Sequence, residues 1–180
     1  MKILKTIFSI LVILIVVVVV VGLFLPTSYT VERSVVIDAT PQEIHNYVGD
    51  LNNWDSWEPW READPSIVIT KGEKTKGVGA SQSWVGDTGD GALTFTKDSV
   101  NEGVEYDLVF DGGSYESQSA ITYDPLENGD TKVTWTMSGD VGMPIVGGYF
   151  ALMMDSMVGD TFDKGLSNLK NTVDPQITDG

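Results

Sequence analysis

The hydrophobic and polar positions divide the chain into an apolar N-terminal segment, a short β-rich stretch, a short helix, a run of strands and a long final helix. The apolar segment, residues 7–25, contains no charge and follows Lys2 and Lys5. At about 1.5 Å rise per residue this run spans roughly 28 Å as a helix, which matches the hydrocarbon thickness of a bilayer. Because a chain in lipid must satisfy its own backbone hydrogen bonds, residues 1–26 are predicted to form a transmembrane anchor.

The flanking charges predict how this anchor is oriented. Lys2 and Lys5 lie on its N-terminal side, so the positive-inside rule places the N-terminus in the cytoplasm. The rest of the chain is then extracytoplasmic, in the periplasm if the cell is Gram-negative, and the protein is a single-pass protein of the cell membrane. A cleaved signal peptide is the alternative, with an apolar core of ~7–15 residues and a small-residue cleavage site. The run is longer than that and ends in Leu25-Pro26 without such a site, which favours an uncleaved anchor.

A strand and a short helix follow the anchor. Residues 27–36 alternate with a period of two, which predicts a strand. Thr40 precedes Pro41 and stands three residues before Glu43, the pattern of a capping box at a helix start. Apolar residues then recur at the helical spacing of an inward-facing stripe, at Ile44, Tyr47, Val48 and Leu51.

The middle of the chain predicts an aromatic turn followed by an antiparallel sheet. Trp54, Trp57 and Trp60 stand three apart in LNNWDSWEPW, which indicates a turn or broken helix. Between residues 66 and 139, β-branched and aromatic segments alternate with short Gly-rich or polar breaks. The six segments are SIVITK, ASQSWV, ALTFTKDSV, VEYDLVF, YESQSAITY and TKVTWTM. Short connections favour an antiparallel meander.

The last element predicts the fold class. Residues 144–173 carry an apolar stripe near the 3.6-residue period, formed by Phe150, Met154, Met157, Val158, Phe162, Leu166, Leu169 and Val173. We predict an α+β fold in which a curved antiparallel sheet wraps around this long C-terminal helix, after one transmembrane helix. The folded domain is expected over residues 27–175, and residues 176–180 are expected to fray.

Composition and charge exclude several function classes. Outside the anchor lysines, nine basic residues face 26 acidic residues, a formal charge of −17 that would repel nucleic acid and anionic headgroups. The chain has no cysteine, which excludes disulfides, thiolate catalysis and a lipoprotein anchor. No cofactor or metal site is predicted, because His45 is the only histidine and is expected at the surface. GDTGDG lacks the final Glu of a calcium loop, and GVGASQSWVG lacks the Lys-Ser/Thr step of a phosphate loop.

These segments resemble a known superfamily. VERSVVIDATPQEIHNYVGDLNNWDSWEPW, KGVGASQSWVGDTGDGALTF, GDTKVTWTMSGD and MDSMVGDTFDKGLSNLKNTV are similar, in this order and spacing, to the SRPBCC or START-like superfamily. Within it the chain resembles the polyketide cyclase/dehydrase-like branch, over residues 29–173. The resemblance implies a helix-grip (START/Bet v 1-like) fold with a hydrophobic pocket. It does not imply one reaction, since that superfamily includes lipid carriers, receptors, cyclases and oxygenase subunits.

Candidate cavity residues lie on the sheet and on the long helix. The candidates on the sheet are Trp84, Phe95, Tyr106, Phe110, Trp135 and Met137, and those on the helix are Phe150, Met153, Met154 and Met157. Aromatic and methionine side chains suit variable apolar ligands, although the same residues also suit a filled core. The cluster of Trp54, Trp57 and Trp60 suits a pocket lid, a membrane-facing patch or structural anchoring.

Three functions remain open from the sequence. The first is a membrane-tethered domain that binds a hydrophobic small molecule or lipid in an internal cavity, without a cofactor. The second is a cyclase- or dehydratase-like enzyme acting on an apolar ketide-type substrate. No acid–base pair is identifiable from spacing, and the polar candidates by position are Glu105, Tyr106, Asp107, Glu116 and Tyr123. The third is an envelope interaction module with a filled core and no pocket.

Overall fold

The structure is a computed structural model that describes residues 2–174. Its helices are α1 (Lys2–Phe24), α2 (Pro41–Val48), α3 (Trp60–Ala63) and α4 (Gly147–Val173). Its strands are β1 (Ser28–Ile37), β2 (Val68–Lys71), β3 (Ser81–Gly86), β4 (Gly89–Ser99), β5 (Gly103–Phe110), β6 (Tyr115–Pro125) and β7 (Thr131–Asp140). Short 3-10 helices cover Leu51–Ser56 and Asp111–Gly113. The predicted frayed tail, 176–180, lies outside the described residues.

The helix α1 is long and apolar enough to cross a membrane over Ile3–Phe24, and it lies almost wholly exposed. A signal sequence near the N-terminus can also form a helix of this kind, so the helix is compatible with both the anchor and its alternative. Three residues separate α1 from β1, and they are held in place. The Thr27 carbonyl accepts a hydrogen bond from the Val141 amide, and its hydroxyl donates to Asp140 at 3.0 Å.

All seven strands form one antiparallel sheet in the order β1-β7-β6-β5-β4-β3-β2. The first strand pairs with the last, and the remaining strands follow as a meander, as short connections require. The register between β4 and β5 shifts between Phe95 and Lys97. Such irregularities increase the local bend and twist of a sheet.

The long helix α4 packs against β1 and β7 through its inward face. Phe162 stacks on Trp135 with ring centroids 4.2 Å apart and nearly parallel planes. Arg33 of β1 reaches across α4 at Gly159 and binds Asp155 in a bidentate pair and Asp163 at 3.0 Å. The sheet and α4 together enclose the core, which confirms the predicted fold.

The short helix α2 begins as predicted from its capping box. Glu43 accepts hydrogen bonds from the amide and hydroxyl of Thr40, and the Glu43 amide donates back to the Thr40 hydroxyl. These bonds satisfy backbone groups that a helix start leaves without partners. Ile44 and Val48 then point into the core.

His45 is not the surface residue that its position beside the apolar stripe predicted. Its Nε2 lies 2.9 Å from Asp98 of β4, and its Nδ1 lies 3.3 Å from the hydroxyl of Tyr123 on β6. The His45 and Asp98 side chains are 12 % and 16 % exposed. Burial, together with the nearby Asp98 carboxylate, raises the pKa of Tyr123, so its hydroxyl stays protonated at neutral pH. The three groups connect α2 to the sheet.

We expect His45→Ala to lower the free energy of unfolding by roughly 1–3 kcal/mol, because Asp98 would remain buried without its partner. Urea unfolding of the detergent-solubilised full chain, followed by tryptophan fluorescence, measures this. All five tryptophans lie between residues 54 and 135, so the signal reports the domain. Gln42→Ala, on the exposed side of α2, is the control. Equal midpoints for the two variants would contradict the expected role of the contact.

Glu58 is a buried carboxyl in the turn that carries the tryptophans. Its side chain is 1 % exposed, neither oxygen has a hydrogen-bond partner, and Arg61 lies no closer than 3.9 Å. Burial raises the pKa of Glu58 to about 7, despite the opposing effect of Lys71. The carboxyl is therefore neutral in mildly acidic solution and increasingly charged above neutrality.

This burial predicts that stability falls as pH rises. Below pH 4.5 Glu58 is protonated in both the folded and the unfolded chain, and its ionisation costs nothing. Between pH 4.5 and about 7 the unfolded chain loses this proton first, so the free energy of unfolding decreases. We expect Glu58→Gln to remove this decrease, which makes it more stable than the wild type at pH 8 by on the order of 2–3 kcal/mol. Urea unfolding midpoints of the wild type and the variant at pH 5 and pH 8 measure this effect. If the two proteins differ in midpoint by the same amount at both pH values, the prediction is contradicted.

Candidate functional site

A cavity of about 420 Å³ lies between the sheet, α4 and the tryptophan-bearing turn. Its size is within the range of small-molecule pockets, roughly 300–1,000 Å³. Apolar side chains dominate the lining. Its aromatic residues are Trp54, Trp60, Trp84, Tyr106, Phe110, Trp135 and Phe162, and its aliphatic residues and methionine are Ala63, Ile67, Ile69, Leu93, Leu108 and Met137.

Ring contacts hold these aromatic walls in fixed positions. Trp135 meets Trp60 edge-on at 6.1 Å, in addition to its stack with Phe162. Trp84 meets Phe110 edge-on at 5.8 Å on the far wall. Such pairs add roughly 0.5–1.5 kcal/mol each beyond area burial, which favours a rigid wall.

A small polar network lies at the base of the cavity. The Trp135 Nε1 donates to the Tyr106 hydroxyl at 2.9 Å and to the Ser119 hydroxyl at 3.2 Å. Ser119 in turn donates to the Thr136 carbonyl at 2.6 Å. Burial raises the pKa of Tyr106 to about 12, so the phenol is neutral at physiological pH and cannot act as a phenolate base.

A second polar side chain, Gln82, also lines the cavity. Its Oε1 accepts a hydrogen bond of 2.8 Å from Lys71, whose ammonium also donates to the Leu51 carbonyl. Gln82 is thus held by the same lysine that fastens the 3-10 helix to β2. Its amide nitrogen is the remaining polar group of this side chain.

The mouth of the cavity is acidic. The exposed residues Thr88, Gly89, Asp90 and Asp111 lie at its rim beside Asp64. Hydrogen bonds from Ser66, and then from the Thr88 amide and hydroxyl, lower the pKa of Asp64, so it stays ionised. Among the described residues that line the cavity, none is basic. The rim therefore disfavours a ligand whose exposed end is anionic.

The mouth lies at the end of the sheet where α1 joins the domain. The ladders align Tyr29, Gly139, Ser117, Leu108, Leu93 and Gln82, so Asp90 and Asp111 lie on the same side of this line as Ser28. With strands about 4.8 Å apart, four ladders separate β1 from β4, about 20 Å along the sheet. The mouth is therefore about 20 Å along the sheet from the strand that follows α1.

Five of the predicted sheet residues line the cavity, namely Trp84, Tyr106, Phe110, Trp135 and Met137. Phe95, the sixth, is fully buried behind the lining and packs on Trp54 and Tyr106. The five lie on strands whose period-two pattern was readable in the sequence. Their role in binding a ligand stays a prediction.

The prediction that the four candidates on α4 line the cavity was wrong. Phe150, Met153 and Met157 are about half exposed on the outer face of α4, away from the cavity. Met154 is half-buried and packs against the core, without lining the cavity. The helical period explains the difference, because the inward phase set by Phe162 continues through Val158 and Ala151 rather than through Phe150 and Met157. Phe162 is the helix residue that lines the cavity.

The tryptophan cluster is structural and partly lines the cavity. Trp54 and Trp57 are 1 % exposed, and their ring nitrogens donate to the carbonyls of Val48 and Tyr47. Trp54 and Trp60 reach the cavity, whereas Trp57 packs behind them on Trp135. A membrane-facing patch is excluded for the two buried rings.

Sequence reasoning missed the polar residues of the site. Asp64, Gln82 and Ser119 carried no motif, and only their place on or beside inward strand positions relates them to the cavity. Of the acidic enzyme candidates, Glu105, Asp107 and Glu116 are exposed and do not line the cavity. Within residues 2–174, no group of three or more Asp, Glu or His side chains is arranged to hold a metal.

Comparison with known proteins agrees with this geometry. The profile of the family described as polyketide cyclase, dehydrase and lipid transport matches residues 28–174. No curated protein matches the chain.

Solved structures share the fold at low sequence identity. A Thermobifida fusca protein is 19 % identical with a TM-score of 0.62, over 80 % of this chain and 92 % of its own. A Chromobacterium violaceum protein is 17 % identical with a TM-score of 0.59, over 82 % and 98 %. Ara h 8.0201 is 13 % identical with a TM-score of 0.55, over 81 % and 97 %. These structures show the shared fold, and the profile match over residues 28–174 shows that the chain belongs to the polyketide cyclase, dehydrase and lipid transport family of the SRPBCC superfamily.

Proposed function

We propose that this protein binds a hydrophobic small molecule or lipid in the cavity between its sheet and α4. The observation that carries the proposal is the enclosed aromatic lining, with few polar groups and no basic residue among the described lining residues. Apolar burial supplies the affinity, at about 25 cal/mol per Å² of apolar surface removed from water. The family to which the chain belongs, which includes lipid transport, supports this class of ligand.

We further propose that α1 stays in the membrane as a single-pass anchor, with the N-terminus in the cytoplasm and the domain outside. The length of the apolar helix and the two lysines before it support this orientation. Tethering raises the effective concentration of the cavity near membrane lipids, which suits a lipid-like ligand.

The Tyr106 hydroxyl is the polar group best placed to orient a ligand. It lines the cavity, stays neutral and is fixed by Trp135. The same hydroxyl keeps a cyclase- or dehydratase-like activity as a second candidate, with Tyr106 as a hydrogen-bond donor to a substrate carbonyl. The cavity itself argues against the pocketless module, which requires a filled core.

The binding proposal predicts that an apolar quencher reaches the cavity tryptophans. With the full chain in phosphatidylcholine nanodiscs, we expect 9,10-dibromostearoyl glycerol to quench tryptophan fluorescence saturably. Trp54, Trp60, Trp84 and Trp135 line the cavity, and α1 contains no tryptophan. Leu108→Phe should reduce this quenching, because the larger ring occupies part of the apolar space that the probe would take.

Val109→Phe is the matched control, since it lies on the same strand with the opposite face and outside the cavity. This variant should quench like the wild type. If quenching rises linearly with probe concentration and is equal in the wild type and both variants, the probe meets the tryptophans only through the bilayer. The binding proposal would then fail.

The tether predicts the side of the membrane on which the domain lies. A C-terminal alkaline phosphatase fusion expressed in Escherichia coli should be active, and a C-terminal green fluorescent protein fusion exported by the same route should be dark. Moving the two lysines by Lys2→Ser and Lys5→Ser, with two lysines inserted after Pro26, should lower phosphatase activity. A fluorescent, phosphatase-negative fusion of the unaltered chain would place the domain in the cytoplasm and refute the proposed topology.

A further inference from the structure

The first half of α4, together with the loop before it, is apolar on the outside as well as on the inside. From Val141 to Val158 the sequence holds one charged residue, Asp155, and its carboxylate is paired with Arg33. Charged residues return at Asp160, beyond this stretch. A water-exposed helix of a protein with a domain charge of −17 is expected to carry polar residues on its outer face.

An exposed apolar stripe runs along this outer face. Val146, Phe150, Met153 and Met157 recur at the helical spacing and are 46 %, 46 %, 55 % and 58 % exposed. They cover three turns of the helix, about 16 Å. Contiguous exposed apolar surface of this kind indicates an interaction site. The cavity is on the opposite face of α4, so its ligand does not cover the stripe.

Contacts with α1 show where the stripe lies relative to the apolar helix. The Tyr149 hydroxyl donates to the Val18 carbonyl at 2.8 Å, while Gly148 packs against Leu25 and Gly22 packs against Ile145. Residues 145–149 thus contact the last two turns of α1 and Leu25, the residue that follows it. The start of α4 therefore lies beside the domain end of the apolar helix.

The two faces of α4 meet different points near the end of α1. Gly148 borders the buried face of α4 and contacts Leu25, the residue after α1. Tyr149 borders the exposed stripe and contacts Val18, within the apolar helix. The stripe therefore begins beside the apolar turns of α1.

We propose that the outer face of α4 lies on the membrane surface. Val146, Phe150, Met153 and Met157 would then lie in the headgroup–acyl boundary of the leaflet on the domain side of α1. This inference rests on the proposed tether, since α1 must be in the bilayer for the stripe to meet lipid. Apolar burial drives the contact, because the acidic domain gains nothing from anionic headgroups. Tyr149 joins the start of α4 to the apolar helix through its bond to the Val18 carbonyl.

Single-cysteine variants test this seating directly, since the chain has no cysteine of its own. Phe150→Cys and Met157→Cys place a nitroxide spin label on the stripe. Ser167→Cys, exposed further along α4, is the aqueous control, and Val12→Cys in α1 is the membrane control. Each full-length variant is reconstituted at one chain per phosphatidylcholine nanodisc. Power saturation then compares collisions with oxygen, which concentrates in lipid, and with a water-soluble nickel chelate.

We expect the oxygen-to-nickel collision ratio at residues 150 and 157 to exceed that at residue 167 at least threefold and to approach that at residue 12. Equal ratios at residues 150, 157 and 167, with a high ratio at residue 12, would overturn the seating and leave the tether intact. A low ratio at residue 12 as well would overturn both. Labels at residues 150 and 157 that are protected from both collision partners would show a protein cover, and they too would overturn the proposal.

Two controls keep the outcome separate from folding and from ligand binding. Unchanged tryptophan emission in each labelled variant shows that the domain is folded. Saturable quenching by the dibrominated glycerol ester, measured on the same discs, reports the cavity independently of the stripe. Discs of neutral and of anionic lipid should give the same ratios, whereas electrostatic docking would make them differ.

Discussion

The structure depends on the burial of the inward face of α4 against the curved sheet. Phe162 stacks on Trp135, and Arg33 holds the outer side of the same helix segment through Asp155 and Asp163. Truncating a buried aromatic side chain of this kind costs about 3–5 kcal/mol. Since the domain has no cysteine and no metal cluster among its described residues, this packing has no covalent substitute.

The cavity exists because α4 packs closely on only part of the sheet. Close packing of α4 is concentrated on β1 and β7, where Gly147, Gly159 and Gly165 let neighbouring groups approach closely. Strands further along the sheet curve away from α4, and the tryptophan-bearing turn closes part of the remaining space. Trp135 lines the cavity and also holds the sheet to α4 through its stack on Phe162. Structural and ligand-facing roles therefore fall on the same side chains, above all on Trp135.

Periodicity in the sequence predicted the helices and strands well, but it predicted poorly which side chains contact one another in the fold. The period of two located the strands, and the capping box at Thr40 located the start of α2, because those signals are local. The phase of α4 is set by Phe162 and by the sheet it meets, so counting apolar residues alone wrongly placed Phe150, Met153 and Met157 in the cavity. His45 met Asp98 and Tyr123 only through the fold, across 53 and 78 residues. Gln82 and Ser119 were likewise unreadable, since a single polar residue on a strand carries no motif.

The short, bonded connection between α1 and β1 limits where this protein can act. Three residues extend at most about 10 Å, and Thr27 is bonded to the domain through both its carbonyl and its hydroxyl. Under the proposed anchoring of α1 in the membrane, a domain held this way would not travel between two membranes with a bound ligand, as a freely diffusing carrier would. A ligand taken from one bilayer and destined for another would then have to be passed to a second, mobile protein, or be used where it was bound.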